Sequence, residues 1–107
     1  MTANDARAQD NYALRWACEY GHLHIVEYLT TTFKLTASDA RAQDNYALRW
    51  ACKNGHLHIV EYLTTTFKFT ARDARAQDNY ALRWALGTGH LEIVDYLTTT
   101  FGVTVTL

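Results

Sequence analysis

The sequence predicts an all-α protein, a solenoid of three stacked helical units. A twelve-residue segment beginning at Ala6 recurs at Ala40 and again at Ala74, a period of 34 residues. A fixed period between about 20 and 50 residues marks an array whose units bury their apolar faces against one another. Within the period, apolar residues recur at helical spacing, and no stretch alternates as a half-buried strand does. The chain has no proline and only 5 glycines, so little interrupts the helices.

The units span residues 2–35, 36–69 and 70–103, with a stub at 104–107, and together form one domain over residues 1–107. Units one and two differ at 4 of 34 positions, units two and three at 8. Such near-identity is the product of recent duplication or of deliberate construction. Three units are about the minimum for a stable array.

The middle unit can be read in chain order. Thr36 is a helix N-cap with Asp39 three residues on, a capping box in which the carboxylate also faces the positive end of the helix dipole. Ala40 to Gln43 are good helix formers, so a short helix is expected. Asp44 and Asn45 are weak formers and strong caps, which predicts a break and a new start. In the next helix Leu48, Ala51 and Cys52 share one face. Gly55 ends it, since a C′ residue takes the left-handed conformation that glycine accepts without strain. His56 opens a third helix with an apolar stripe of Leu57, Ile59, Val60, Leu63 and Phe67. The β-branched run Thr64–Thr66 predicts fraying toward Lys68.

Composition excludes several function classes. Ten Lys and Arg against eleven Asp and Glu leave a net charge of −1, which gives no general electrostatic grip on nucleic acid or anionic membrane. No apolar run approaches the roughly 18 residues of a membrane span, and the first residues, MTANDARAQD, lack the pattern of a signal peptide. An intracellular protein, cytoplasmic or nuclear, is expected.

Gly89-His90-Leu91-Glu92-Ile93-Val94-Asp95-Tyr96-Leu97 resembles the second-helix signature of ankyrin repeats, and the same pattern stands at 21–29 and 55–63. Tyr46-Ala47-Leu48-Arg49-Trp50-Ala51 resembles that family's first-helix motif, Thr-Pro-Leu-His-x-Ala. The resemblance covers nearly all of residues 2–103. It implies a non-enzymatic scaffold for protein partners. The departures are specific: Tyr for Thr, Ala for Pro, Arg for His, and no Asp-Gly to turn the family's β-hairpin. A variant poor in hairpin is therefore expected, with a short helix where the finger would stand. The match to the arrays common in giant viruses and protists is looser.

Candidate chemistry is sparse. His22 with His24, and His56 with His58, sit at i and i+2 and do not face each other on a helix. Equivalent histidines of stacked helices stand about 10 Å apart, too far to share a metal with ligands about 2 Å away. Cys18 and Cys52 are separated in the same way and are read as buried, reduced thiols. No nucleophile–base pair, phosphate loop or carboxylate dyad is visible, so no enzyme, cofactor or metal is predicted.

Tyr12, Tyr46 and Tyr80 form a ladder, as do Trp16, Trp50 and Trp84, and both are read chiefly as packing between units. Arg7, Arg41 and Arg75 recur, as do Arg15, Arg49 and Arg83, and each is expected to pair with a nearby Asp of its own unit. Arg49, standing for the family's His, is expected to tie its unit to a neighbour.

The positions that vary between otherwise fixed units are the candidate partner surface: Glu19, Tyr20, Lys53, Asn54 and Thr88. In ankyrin-like repeats the two residues before the inter-helix Gly lie on the binding surface. The alternative reading is structural. No polar capping unit is visible at either end, so Leu23, Val26, Leu91, Val94, Val105 and Leu107 are candidates for head-to-tail self-association.

Overall fold

The computed structural model describes residues 1–104. Eight helices follow one another among them: α1 (Ala3–Glu19), α2 (Leu23–Thr32), α3 (Ala37–Ala40), α4 (Ala42–Lys53), α5 (Leu57–Phe67), α6 (Ala71–Ala74), α7 (Ala76–Thr88) and α8 (Leu91–Phe101). No strand occurs among the described residues. The first helices of the three units, α1, α4 and α7, stack side by side, and α2, α5 and α8 pack behind them. The result is a rod of 45 × 21 × 21 Å.

The expected elements form for the expected reasons. Thr36 N–H donates to Asp39 Oδ2 at 2.8 Å, the capping box read from the sequence. Gly21, Gly55 and Gly89 take φ near +80° and turn the chain between paired helices. The core runs unbroken along the rod. Leu14, Ala17 and Cys18 of α1, Leu48, Ala51 and Cys52 of α4, and Ile59, Val60 and Leu63 of α5 are all buried. Each fully buried aliphatic side chain of this size contributes about 1.5–3 kcal/mol. Both thiols are free, and burial pushes them well above the ordinary thiol range.

Two local expectations are corrected. The threonine run of unit two does not fray: α5 continues to Phe67, and Thr65 Oγ1 donates back to the Glu61 carbonyl at 2.9 Å, whereas α2 stops at Thr32. The chain then ends the helix in left-handed backbone at Lys68, with φ of 56°.

The break at Asp44-Asn45 is more than a fresh helix start. Gln43, Asp44 and Asn45 all lie in the left-handed region, with φ of 57°, 54° and 60°, and residues 9–11 and 77–79 repeat it. Left-handed backbone costs about 1–2 kcal/mol per ordinary residue and less for Asn and Asp. Three hydrogen bonds hold this turn in unit two. The Arg49 guanidinium donates to the carbonyls of Asp44 at 2.9 Å and Gln43 at 3.0 Å, and Asn45 N–H donates to Arg41 O at 2.9 Å. This compact turn stands where a hairpin finger would.

Candidate functional site

The face formed by α1, α4 and α7 carries both aromatic ladders. Tyr12, Arg15, Tyr46, Arg49 and Tyr80 alternate along it. Arg15 Cζ lies 5.5 Å from the Tyr12 ring centre and 5.1 Å from that of Tyr46. Arg49 Cζ lies 5.8 Å from Tyr46 and 4.9 Å from Tyr80. Each guanidinium is thus an internal filler between two phenol rings, fixed by carbonyls of its own turn. This is how Arg49 ties its unit to the next: by stacking on Tyr80 rather than by an ion pair.

The tryptophans run parallel to this series. Lys53 Nζ lies between two of them, 4.2 Å from the Trp50 ring centre and 4.2 Å from that of Trp84. Trp16 packs on Tyr20 and His22, with ring centres 5.5 Å and 4.9 Å apart. The ladders are not only packing: Tyr12, Trp16, Tyr20 and Trp84 are 55%, 39%, 56% and 40% exposed. A cleft of about 150 Å³ opens between units one and two, lined by Tyr12, Arg15, Trp16, Glu19, Tyr20 and Tyr46.

The variable positions prove to be partly spoken for. The Glu19 carboxylate accepts a hydrogen bond from the Tyr46 hydroxyl. Burial and that carboxylate push the Tyr46 phenol up to about 12. The Glu19 carbonyl accepts from Asn54 Nδ2 at 2.9 Å and faces His56 Nε2 at 3.0 Å. Thr88 Oγ1 reaches the Lys53 carbonyl at 3.3 Å and the Trp84 carbonyl at 2.6 Å. Glu19, Lys53, Asn54 and Thr88 therefore touch neighbouring units, while Tyr20 projects to solvent. Variation between near-identical units singles out these positions but does not reveal these ties.

The other repeated arginines pair across units rather than within them. Arg7 Nε donates to Asp39 at 3.0 Å, and Arg41 grips Asp73 with Nε at 2.7 Å and Nη2 at 3.1 Å. Expected local pairing is corrected accordingly, because each Asp belongs to the capping box one unit on. A wider cleft of about 810 Å³ lies on that edge, among Arg41, Asp73, Arg72 and Arg75. Among the described residues no group of three or more His, Cys, Asp and Glu is gathered as a metal would require. No helix there is long and apolar enough to cross a membrane.

The proposed end-face residues separate into two sets. Val26 is buried and Leu23 half-buried, because both turn toward unit two, so neither belongs to the outward face of unit one. That face is built instead from Met1, Tyr12, Ala13, Trp16, Ile25, Tyr28 and Leu29, around an apolar groove of about 380 Å³. Nothing in the sequence sets Ile25 and Tyr28 apart from their counterparts Ile59 and Tyr62. At the opposite end Leu91 is 65% exposed and Val94 half-buried. Val105 and Leu107 lie outside the described residues.

Comparison with known proteins agrees with this architecture. A family profile described as ankyrin repeats in three copies matches residues 2–73 and again 30–106. Comparison with curated proteins and with solved structures finds no match. With paired helices turned at Gly21, Gly55 and Gly89 and a profile spanning nearly the whole sequence, the chain belongs to the ankyrin repeat family.

Proposed function

We propose that the chain is a non-enzymatic scaffold that binds a protein partner on the ladder face. Ankyrin repeats generally mediate protein–protein interaction. The observation that carries the reading is the row of exposed aromatics, Tyr12, Trp16, Tyr20 and Trp84, on one face of stacked helices. Rigid aromatics supply large contact area at small entropic cost, and Trp, Tyr and Arg dominate interface energies. Tyr20 marks the variable edge of that face, beside Glu19, Lys53, Asn54 and Thr88. The test is selection from a displayed peptide library on the immobilised chain, with binding mapped by amide chemical shifts. Selected peptides are expected to perturb α1, α4 and α7 and to lose affinity with Tyr20→Ala. Peptides that map to α2, α5 and α8 would overturn the reading.

A second reading, head-to-tail self-association, is favoured by a separate observation. Ile25 is 41% exposed, whereas its equivalents Ile59 and Ile93, each covered by the preceding unit, are 2% and 1% exposed. The outward face of unit one thus offers what units two and three bury, and Leu91 and Val94 offer the complementary half. Charge matches as well: Arg75 stands where Arg7 and Arg41 hold the Asp of a following unit, and Asp5 stands where Asp39 and Asp73 receive an Arg. Such a contact is heterologous and leads to filaments or rings. Light scattering over a wide concentration range is expected to show mass that climbs in the 107-residue chain and stays monomeric in Ile25→Asp. A steady monomer in both would rule this reading out.

A further inference from the structure

We propose that the cleft between units one and two is a receptor for a primary alkylammonium group, the side chain of a lysine on a partner protein. The cleft stands one repeat step before a site that already holds an ammonium of the chain itself. Between Trp50 and Trp84 the chain supplies its own cation, Lys53, whose Nζ sits 4.2 Å from each ring centre. One repeat step earlier the residue in the place of Lys53 is Glu19, and the cleft beside it is lined by Trp16 with Tyr12, Tyr20 and Tyr46 rather than by a second tryptophan. That cleft has aromatic walls and a carboxylate where the next unit has its lysine. The Arg15 guanidinium lies over Tyr12 and Tyr46, at 5.5 and 5.1 Å, and among the described residues no ammonium of the chain lies over Trp16.

The walls are those a cation prefers. Tyr12, Trp16, Tyr20 and Tyr46 line the 150 Å³ cleft, and Glu19 faces into it. This is room for several water-sized groups. Ring faces attract a desolvated ammonium through their quadrupole, and a fixed carboxylate adds charge and a hydrogen-bond acceptor. Arg15 also lines the cleft, yet it does not disqualify the site. Arg49 stands in the same relation to the Lys53 slot, over Tyr80 at 4.9 Å, while Lys53 Nζ itself lies 6.0 Å from that ring. The fold already accommodates an ammonium beside this guanidinium. Arg15 is moreover held by the carbonyls of Asp10 and Gln9 at 3.0 and 2.9 Å.

The inference names the chemistry of the partner and so rests on the scaffold reading, but a small cation tests the slot without any partner. The whole chain, labelled for observation of indole N–H groups, is titrated with n-butylammonium chloride. Parallel titrations use 1-butanol and tetramethylammonium chloride. Saturable shifts are expected at Trp16 with n-butylammonium and none with 1-butanol. Glu19→Gln, which keeps a partner for the Tyr46 hydroxyl, weakens binding by about threefold or more. Glu19→Lys fills the slot as Lys53 fills the next and abolishes binding. Lys53→Glu empties the second slot and creates a second site, seen at Trp50 and Trp84. Circular dichroism confirms that each variant keeps its helices. Equal response of Trp16 and Trp84 in the unmodified chain, binding that survives Glu19→Lys, or no second site in Lys53→Glu would overturn the proposal. Tighter binding of tetramethylammonium than of n-butylammonium would overturn the assignment to a primary ammonium. A slot that binds n-butylammonium while library peptides map elsewhere would refute the scaffold reading alone.

Discussion

The imidazole of His56 occupies the space that a side chain on Gly21 would need. A Cβ at Gly21 would come within 2.6 Å of His56 Cε1, and Gly55 stands in the same relation to His90 at 2.7 Å. The histidine that opens the second helix of one unit is thereby seated on the glycine turn of the unit before it. His56 Nε2 also meets the Glu19 carbonyl, one of the carbonyls that the end of α1 leaves unsatisfied.

The glycines therefore carry two separate costs that substitution can divide. Gly89 has the same φ of +80° as Gly21 but no neighbour within 4 Å of a Cβ. Gly89→Ala is expected to lose about 1 kcal/mol, the cost of left-handed backbone alone. Gly21→Ala and Gly55→Ala also displace a histidine and are expected to lose about 3 kcal/mol. Urea unfolding of the three variants checks the difference. Equal losses would mean that the histidine seat contributes nothing.

Arg41 and Asp73 make the strongest ion pair at a junction, and it sets an acid limit on stability. Burial alone would raise the Asp73 carboxyl. Hydrogen bonds from Arg41, from the Thr70 backbone N–H and from Asn45 hold it below its ordinary value, and Asp39 is held low in the same way. A carboxyl depressed in the folded state contributes stability above its unfolded pKa of about 4, and loses it as pH falls through the folded value. The unfolding midpoint is expected to fall between about pH 5 and pH 2. Asp73→Asn is expected to cost about 2 kcal/mol at neutral pH and to flatten that fall. Urea midpoints measured across this range decide the matter, and an unchanged slope in the variant would assign the acid loss elsewhere.

Lys68 ends α5 with φ of 56°, and its equivalent Lys34, just past the Phe33 cap of α2, has φ of 54°. Unit three has Gly102 at the equivalent position, with φ of 67°. The repeat thus contains its own control for a left-handed C-terminal residue. Lys68→Gly is expected to stabilise the chain by about 1 kcal/mol, since the strain relieved exceeds the entropy that glycine adds to the unfolded state. Thermal unfolding should show a higher midpoint. A lower one would mean that the Lys68 side chain makes up for its backbone.

The legible part of this fold was what depends on periodicity and single residues. The 34-residue repeat, the Thr36–Asp39 box, the Gly55 turn and the Leu48–Ala51–Cys52 face all follow from local chemistry, and the structure bears them out. What was not legible depends on the step from one unit to the next. Arg41 has Asp39 and Asp44 close by in sequence, yet it bonds Asp73, because stacking brings the next unit's cap nearer than its own. Lys53 looked free because it varies, yet it lies between two tryptophans from different units. Ile25 and Val26 are neighbours in an unremarkable stripe, and only the direction of stacking decides which is buried. The three left-handed residues at 43–45 left a partial signal in Asp44-Asn45, a pair that tolerates that backbone. Nothing about Gln43 announced it.

Arg49 is where these two kinds of information meet. Its guanidinium donates to both Gln43 and Asp44 carbonyls and so pins the strained turn, while its outer face stacks on Tyr80 of the following unit. Removing it leaves a left-handed turn with two orphaned carbonyls and a ring without its cation. Arg49→Ala is expected to cost about 2–3 kcal/mol. Arg49→Lys should recover little, since an ammonium lacks the planar fork that reaches both carbonyls. Arg83 makes the same turn contacts, at 2.8 and 3.3 Å, but no following unit supplies a tyrosine within the chain. Arg83→Ala is accordingly expected to cost about 1 kcal/mol less. Chemical unfolding of the three variants gives the ordering directly. An Arg49→Ala midpoint equal to that of the unmodified chain would show that the turn holds without its guanidinium and that the junction does not use it.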